Sequence, residues 1–199
     1  MAWLLVALGF FGLVVGSFLT ALTHRLASGE RIGWDRSRCP RCKRTLSPAE
    51  LIPVLSFLLQ RGRCRSCREA IGWSYPLIEL ATAGLFLAIG FRAFGGMLTP
   101  PPFAALIPGV APAILYYLFF ASAALTVSVY DFRWQLIPAR PVQALTALGL
   151  IAEVAGAIGL GSLRPLVISG VTAAAFFLLF YGRWRVARGR AMGRGDADV

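Results

Sequence analysis

Two acids and four cysteines are the residues of this 199-residue chain whose types and spacing could do chemistry. Asp131 stands in Tyr130-Asp131-Phe132-Arg133-Trp134-Gln135-Leu136-Ile137-Pro138, after an apolar run from Ala111 to Tyr130. That run is long enough to cross a bilayer. A carboxylate at the end of a membrane helix is costly to desolvate, so it either marks a functional position or reaches water as a plain helix-end charge. Asp196 stands in Gly193-Arg194-Gly195-Asp196, after a later apolar run. Two carboxylates brought to one membrane face can share a proton and activate a water, as an aspartyl protease does. Like-charge proximity and poor solvation raise one of the two pKa values and keep that proton in place at neutral pH. Such a pair titrates as a unit, so neither acid is assigned as the base. Gly195 and Gly193 let backbone approach a substrate closely. From the residues alone Asp196 also reads as a solvated carboxylate in a frayed tail, and Asp198 reads as a solvated tail residue.

The cysteines form a second pattern. Cys39-Pro40-Arg41-Cys42 and Cys64-Arg65-Ser66-Cys67 are two CxxC pairs separated by 21 residues. This spacing is close to that of four-thiolate zinc ribbons, in which each tight turn aims two sulfurs at one tetrahedral Zn²⁺. Arg38, Arg41, Lys43, Arg44, Arg63, Arg65 and Arg68 favour the thiolates and offset the charge that four of them leave around one ion. Four ligands leave no open position, so the expected ion is structural. The alternatives are two disulfides or unlinked thiols; a cytosolic location disfavours the disulfides.

What must position these residues is a set of membrane helices. The chain is 57% apolar with a mean hydropathy of +0.69, well above a soluble domain. Spanning runs are expected at Ala2–Leu22, Pro76 to about Met97, Ala113–Tyr130, Val142–Leu160 and Pro165–Tyr181. Gly12 and Gly16, four apart, give the first helix a face that a neighbour can approach closely. Glu153 falls inside the fourth run, where a bundle partner or a watery cleft suits it better than lipid. The polar insert from His24 to Tyr75 carries all four cysteines and 11 of the 20 basic residues. Its apolar stretch Leu51–Leu59 holds Pro53 and is too short to span. It is expected to pack on the insert or lie at the interface. No internal repeat or low-complexity segment is visible.

The net charge of +11 is distributed by topology. With the N-terminus outside, 18 of the 20 basic residues fall inside, and only Arg92 and Arg164 lie toward the outside. No nucleic-acid partner is needed to explain the charge. The expected fold is all-α: a polytopic bundle of about five spans with a small cytosolic zinc-ribbon-like insert. Its parts are a first helix over 1–23, the insert over 24–75 and a membrane core over 76–199.

With these residues assembled, the chain resembles the type IV prepilin leader peptidases, membrane proteases that also N-methylate their product. Gly16-Ser17-Phe18-Leu19 with Arg25-Leu26 resembles the first-helix motif of that family. The paired CxxC motifs flank Leu51-Ile52-Pro53-Val54-Leu55-Ser56. Tyr75-Pro76-Leu77-Ile78-Glu79-Leu80 resembles the entry to the second helix. Asp131 with Ile137-Pro138 resembles the first catalytic aspartate motif, and Gly193-Arg194-Gly195-Asp196 the GxGD motif that carries the second. Thr20 and His24 depart from the usual Asn and Tyr, Ala139 from a frequent Asp, and Ala197-Asp198 from the usual sequel to GxGD. The family carries further helices after GxGD, so the chain is expected to be a shortened member.

The resemblance implies an aspartyl endopeptidase in the bacterial cytoplasmic membrane, with Asp131 and Asp196 catalytic and the active site facing the cytosol. Its substrates would be prepilins or pseudopilins, cut before a hydrophobic helix that sits in membrane lipid. It also implies S-adenosylmethionine-dependent N-methylation, for which no glycine-rich fingerprint is visible here. Glu79 is the acid closest to that activity, its other reading being a helix-end charge in water. His24 has no partner at metal spacing and reads as interfacial. A non-catalytic, membrane-anchored zinc-ribbon adaptor is the rival from another class. A small proton-coupled transporter using Glu153 and Asp131 is weakened by the lack of internal symmetry.

Overall fold

The computed structural model describes residues 2–28, 36–98, 101, 104, 108–135 and 139–186, excepting the side chains at 139–140, 165, 176–177 and 179–186. The elements are α1 (Ala2–Ser28), α2 (Leu55–Leu59), α3 (Ser74–Phe94), α4 (Val110–Trp134), α5 (Ala139–Leu160) and α6 (Arg164–Val186). A 3₁₀ turn, Pro48–Leu51, precedes α2. Among the described residues the only extended pairings are isolated bridges, Arg38 with Thr45 and Arg63 with Ala70. Among the described residues four helices are long and apolar enough to cross a membrane: α1, α3, α4 and α5 from Pro141. The expected fifth run coincides with α6, a helix of 23 residues whose described apolar part is Leu166–Ala175. This is a polytopic, helical, multi-pass membrane protein.

The helices outrun the apolar runs that announce them. α1 continues past Leu22 to Ser28, and α4 past Tyr130 to Trp134. Helical hydrogen bonds do not stop where hydropathy does; a cap stops them. At α4 that cap is Gln135, in the left-handed region at φ 52°, whose N–H donates to the Asp131 carbonyl at 2.7 Å. Asp131 therefore lies in the last helical turn, not in the loop after it.

The chain divides into two compact units, 1–98 with 117–129, and 99–116 with 130–199. In the first, α1 packs on α3 through the glycine face. A Cβ at Gly12 would sit 2.7 Å from Ala83 Cα, and one at Gly16 would sit 2.7 Å from Glu79 Cα, so nothing larger fits. Thr20, Thr23 and Thr82 are buried on the same seam. Each hydroxyl donates to a carbonyl of its own helix, as Thr82 does to Ile78 at 2.7 Å, so the seam stays small without orphaned polar atoms. Phe86 of α3 is almost fully enclosed and meets Phe11 of α1 with ring centroids 5.8 Å apart. In the second unit, α5 and α6 form a hairpin. Gly161 turns it at φ 59°, and the Ser162 N–H donates to the Ala157 carbonyl at 3.1 Å.

Candidate functional site

The insert is built from two knuckles, the second repeating the first 25 residues on. The N–H of Cys39 donates to the Arg44 carbonyl at 2.9 Å, and that of Cys64 to the Glu69 carbonyl at 2.8 Å. The N–H of Lys43 returns to the Cys39 carbonyl, and that of Arg68 to the Cys64 carbonyl. Lys43 and Arg68 both take left-handed backbone, at φ 57° and 59°, which turns each chain back beside its CxxC. Beyond the paired CxxC motifs the copies share Arg36 with Arg61 and Arg38 with Arg63, and a basic residue at 43 and 68; the other residues filling them differ.

The knuckles bring the four sulfurs of Cys39, Cys42, Cys64 and Cys67 within 4.8 Å of one another, with Cys39 Sγ and Cys67 Sγ 3.8 Å apart. A tetrahedral zinc with bonds of about 2.3 Å sets its sulfurs about 3.8 Å apart. All four cysteines are free, so the disulfide alternative is not what the fold builds. Backbone N–H groups of Cys67 and Ser66 pull the Cys64 thiol down to about 6. The Cys67 thiol also accepts from the backbone, at Glu69. Burial and the neighbouring Cys64, Cys39 and Cys42 sulfurs outweigh that bond and push it up to about 11. Crowding of this kind is what a cation held among the four sulfurs would relieve.

A part-buried ion pair ties the first knuckle to the 3₁₀ turn. Arg44 donates to Glu50 at 2.6 Å, and Glu50 also accepts from the Ser47 N–H at 2.9 Å. The Arg44 guanidinium, then the Ser47 N–H, hold the Glu50 carboxyl down at about 2. Ser47-Pro48-Ala49-Glu50 is a capping-box pattern, so this partner was legible in the chain although the motifs above pass over it.

Between the insert and the adjoining ends of α1 and α3 lies a cavity of about 640 Å³, lined in part by Ser17, His24, Phe57, Tyr75 and Glu79. Glu79 is buried and does not face water as a helix-end charge would. Its carboxylate accepts the N–H of Val54 at 2.7 Å, with Ser17 beside it. Val54 is a β-branched residue at φ 60° and ψ −50°. That backbone costs about 1–3 kcal/mol and persists only where its surroundings hold it. The Glu79 bond is one such hold. Nothing in the sequence signalled this clamp, because it joins residues 25 apart through a backbone atom. His24 is exposed at the cavity rim, and Glu153 is half-buried on α5.

Of the two candidate acids, Asp131 is exposed in the last turn of α4. Next to it, the rings of Tyr130 and Trp134 lie 4.9 Å apart, and the Arg133 guanidinium sits 5.7 Å above Trp134. Asp196 lies outside the described residues.

Comparison with known proteins gives two family matches along the chain. Residues 10–93 match the Bacterial Peptidase A24 N-terminal domain, and residues 118–199 match the Type IV leader peptidase family. A Bacillus subtilis (strain 168) protein named prepilin leader peptidase/N-methyltransferase is 45% identical over 130 residues, covering 65% of this chain and 46% of the relative. A protein of the same name from Pectobacterium carotovorum subsp. carotovorum is 29% identical over 217 residues, covering 98% of this chain and 72% of the relative. Another from Klebsiella pneumoniae is 31% identical over 195 residues, covering 93% and 77%. The chain thus spans about half the length of the Bacillus relative and about three quarters of the other two. No solved structure matches it. On the strength of these matches, which take in the four cysteines and both aspartate motifs, the chain belongs to the type IV leader peptidase family.

Proposed function

We propose that this protein is a membrane aspartyl endopeptidase that removes the leader from type IV prepilins or pseudopilins. The observation that carries the reading is the family match over 118–199, a stretch that contains both Asp131 and Asp196. In the proposed site the two carboxylates share one proton. One takes a proton from water as that water attacks the scissile carbonyl; the other, protonated, donates to the carbonyl oxygen. The position of Asp131 at the end of a spanning helix suits a substrate cut next to its own hydrophobic helix. The charge distribution supports a cytosolic face for this site in a bacterial inner membrane.

The cysteine cluster holds one structural zinc in this reading, supported by the 3.8 Å sulfur separation. Zinc supplies charge neutralisation and a rigid link between the knuckles, and the reaction is not routed through it. The relatives' names also carry an N-methyltransferase activity. For that activity S-adenosylmethionine would supply an electrophilic methyl group. The 640 Å³ cavity is within the range of cofactor sites and closes on an acid, Glu79, that suits a cationic sulfonium. There Glu79 would hold the amine's departing proton and keep the Leu51–Leu59 segment in place through Val54.

The test is cleavage of a prepilin by the protein as its gene encodes it, in lipid. Asp131→Asn and Asp196→Asn should each lower the rate by on the order of 10⁴-fold or more, and the double variant should be no worse than either single one. Asp198→Asn should be nearly silent. Full cleavage by Asp131→Asn removes the aspartyl mechanism; loss in Asp198→Asn with cleavage kept in Asp196→Asn moves the second acid to Asp198.

A further inference from the structure

The second knuckle and α2 carry two features that the proposed peptidase does not use. The first is apolar. Of the α2 residues, only Phe57 turns inward, against Trp73 at 5.0 Å and over Gly62. Leu58 and Leu59 are 60% and 68% exposed, Trp73 is 70% exposed, and Leu51, Ile52 and Leu55 are exposed beside them. Five large apolar side chains standing out from the stretch 51–59, with Trp73 beside Phe57, form a patch on an otherwise polar insert that water disfavours. The second is charge. Arg61, Arg63, Arg65 and Arg68 are all exposed. They share an open concavity of about 580 Å³ with Leu59 and Gln60, and no carboxylate lines it. Among the described residues none of the four makes an ion pair.

The two features sit at the level where the chain enters a membrane. Trp73 immediately precedes α3, a helix able to span, whose own Leu77 and Leu80 are exposed. The Val54 to Glu79 bond holds the apolar stretch at the second turn of that helix. Exposed leucines continuous with a spanning helix, followed at once by unpaired arginines, match the layering of a leaflet: acyl chains, then phosphates. We propose that α2 and the second knuckle form an interfacial anchor. In it Leu55, Leu58 and Leu59 enter the leaflet, and Arg61, Arg65 and Arg68 bind the phosphates of anionic phospholipids. Guanidinium groups suit that task because they pair bidentately with phosphate oxygens. The inference needs the membrane-protein fold but neither the aspartate dyad nor methyl transfer.

The test is amide hydrogen exchange on the whole protein in nanodiscs of phosphatidylcholine alone or with phosphatidylglycerol. Amides of 55–68 should exchange on the order of tenfold more slowly with the anionic lipid, and added salt should reverse the slowing. The backbone-matched amides 38–45 are the internal control and should not respond. The combined variant Arg61→Gln, Arg65→Gln, Arg68→Gln should lose the lipid response while keeping its bound zinc, which reports an intact insert. Equal exchange of 55–68 in both lipids overturns the proposal and leaves this face to a protein or nucleic-acid partner. Equal slowing from inorganic phosphate in phosphatidylcholine discs also overturns it, since the site would then take free phosphate. A Leu58→Asp, Leu59→Asp variant with an unchanged lipid response would overturn the leaflet-inserted half.

Discussion

In the first knuckle Arg44 meets the buried Glu50, and Arg41 reaches across to Glu69 beyond the second CxxC. In the second knuckle Arg61, Arg63, Arg65 and Arg68 meet no carboxylate among the described residues. Yet the two share their backbone hydrogen bonds and their left-handed turn residue. The backbone therefore answers to the four-sulfur cluster, which both copies must build. The side chains answer to what each copy faces. The first copy ties Arg44 to the buried Glu50 and Arg41 to Glu69, while its Arg38 and Lys43 stay exposed; the second keeps all four arginines exposed and without an ion pair among the described residues. A basic residue near a thiolate cluster consequently has two separable placements, paired to a carboxylate or exposed and unpaired, and the two halves of this module hold them in different proportion.

The largest perturbation should erase the difference between the halves. Replacing Cys42 or Cys67 by Ser should each reduce bound zinc from about one per chain to none, as a four-ligand site requires. Structural zinc contributes about 10–16 kcal/mol of apparent binding energy in small domains, so loss of either ligand should unfold the insert. Metal analysis and proteolysis of 36–72 read both effects. Full zinc in either variant would mean that the knuckles do not share one ion.

A smaller change should separate the halves. Glu50→Gln removes the partner of Arg44 and should destabilise the insert by about 1–3 kcal/mol. Arg65→Gln and Arg68→Gln, each at an exposed position without an ion pair, should stay within about 0.5 kcal/mol. The Arg41–Glu69 pair is exposed, so Arg41→Gln should cost less than Glu50→Gln does. Thermal midpoints in detergent rank the four; equal effects from Glu50→Gln and Arg68→Gln would dissolve the contrast.

The same carboxylate gives that contrast a pH dependence. The Glu50 pKa is lowered in the fold from 4.5 to about 2. Its stabilisation is therefore complete above the unfolded value and is lost as pH falls through the folded one. The gap between wild type and Glu50→Gln should be constant above about pH 4.5 and close toward pH 2. A gap that widens on acidification would show that Glu50 is not held as a carboxylate.

The smallest expected effect tests the shared backbone. Lys43→Gly and Arg68→Gly relieve the left-handed strain of a side chain but add unfolded-state freedom, so each should change stability by no more than about 1 kcal/mol. The two changes should agree in sign. Opposite signs would mean that the turns are only superficially alike.

Much of this molecule was legible in its sequence, for a physical reason in each case. Spans announce themselves because lipid demands long uncharged helices, and α1, α3, α4 and α5 lie where the apolar runs are. The gathering of Cys39, Cys42, Cys64 and Cys67 into one cluster follows from their spacing, since two CxxC turns aim their sulfurs at a common point. Gly12 and Gly16 told of a close helix contact, and α3 is the helix that makes it. Tertiary structure alone decided the rest. It put Asp131 inside the last turn of α4, because a cap at Gln135 and not the end of hydropathy stops the helix. It buried Glu79 on the N–H of Val54, a pairing set by packing across the insert that no side-chain pattern encodes. And it gave the knuckles' arginines different surroundings, since charge is written in the sequence but its partner is chosen only when the chain folds back on itself.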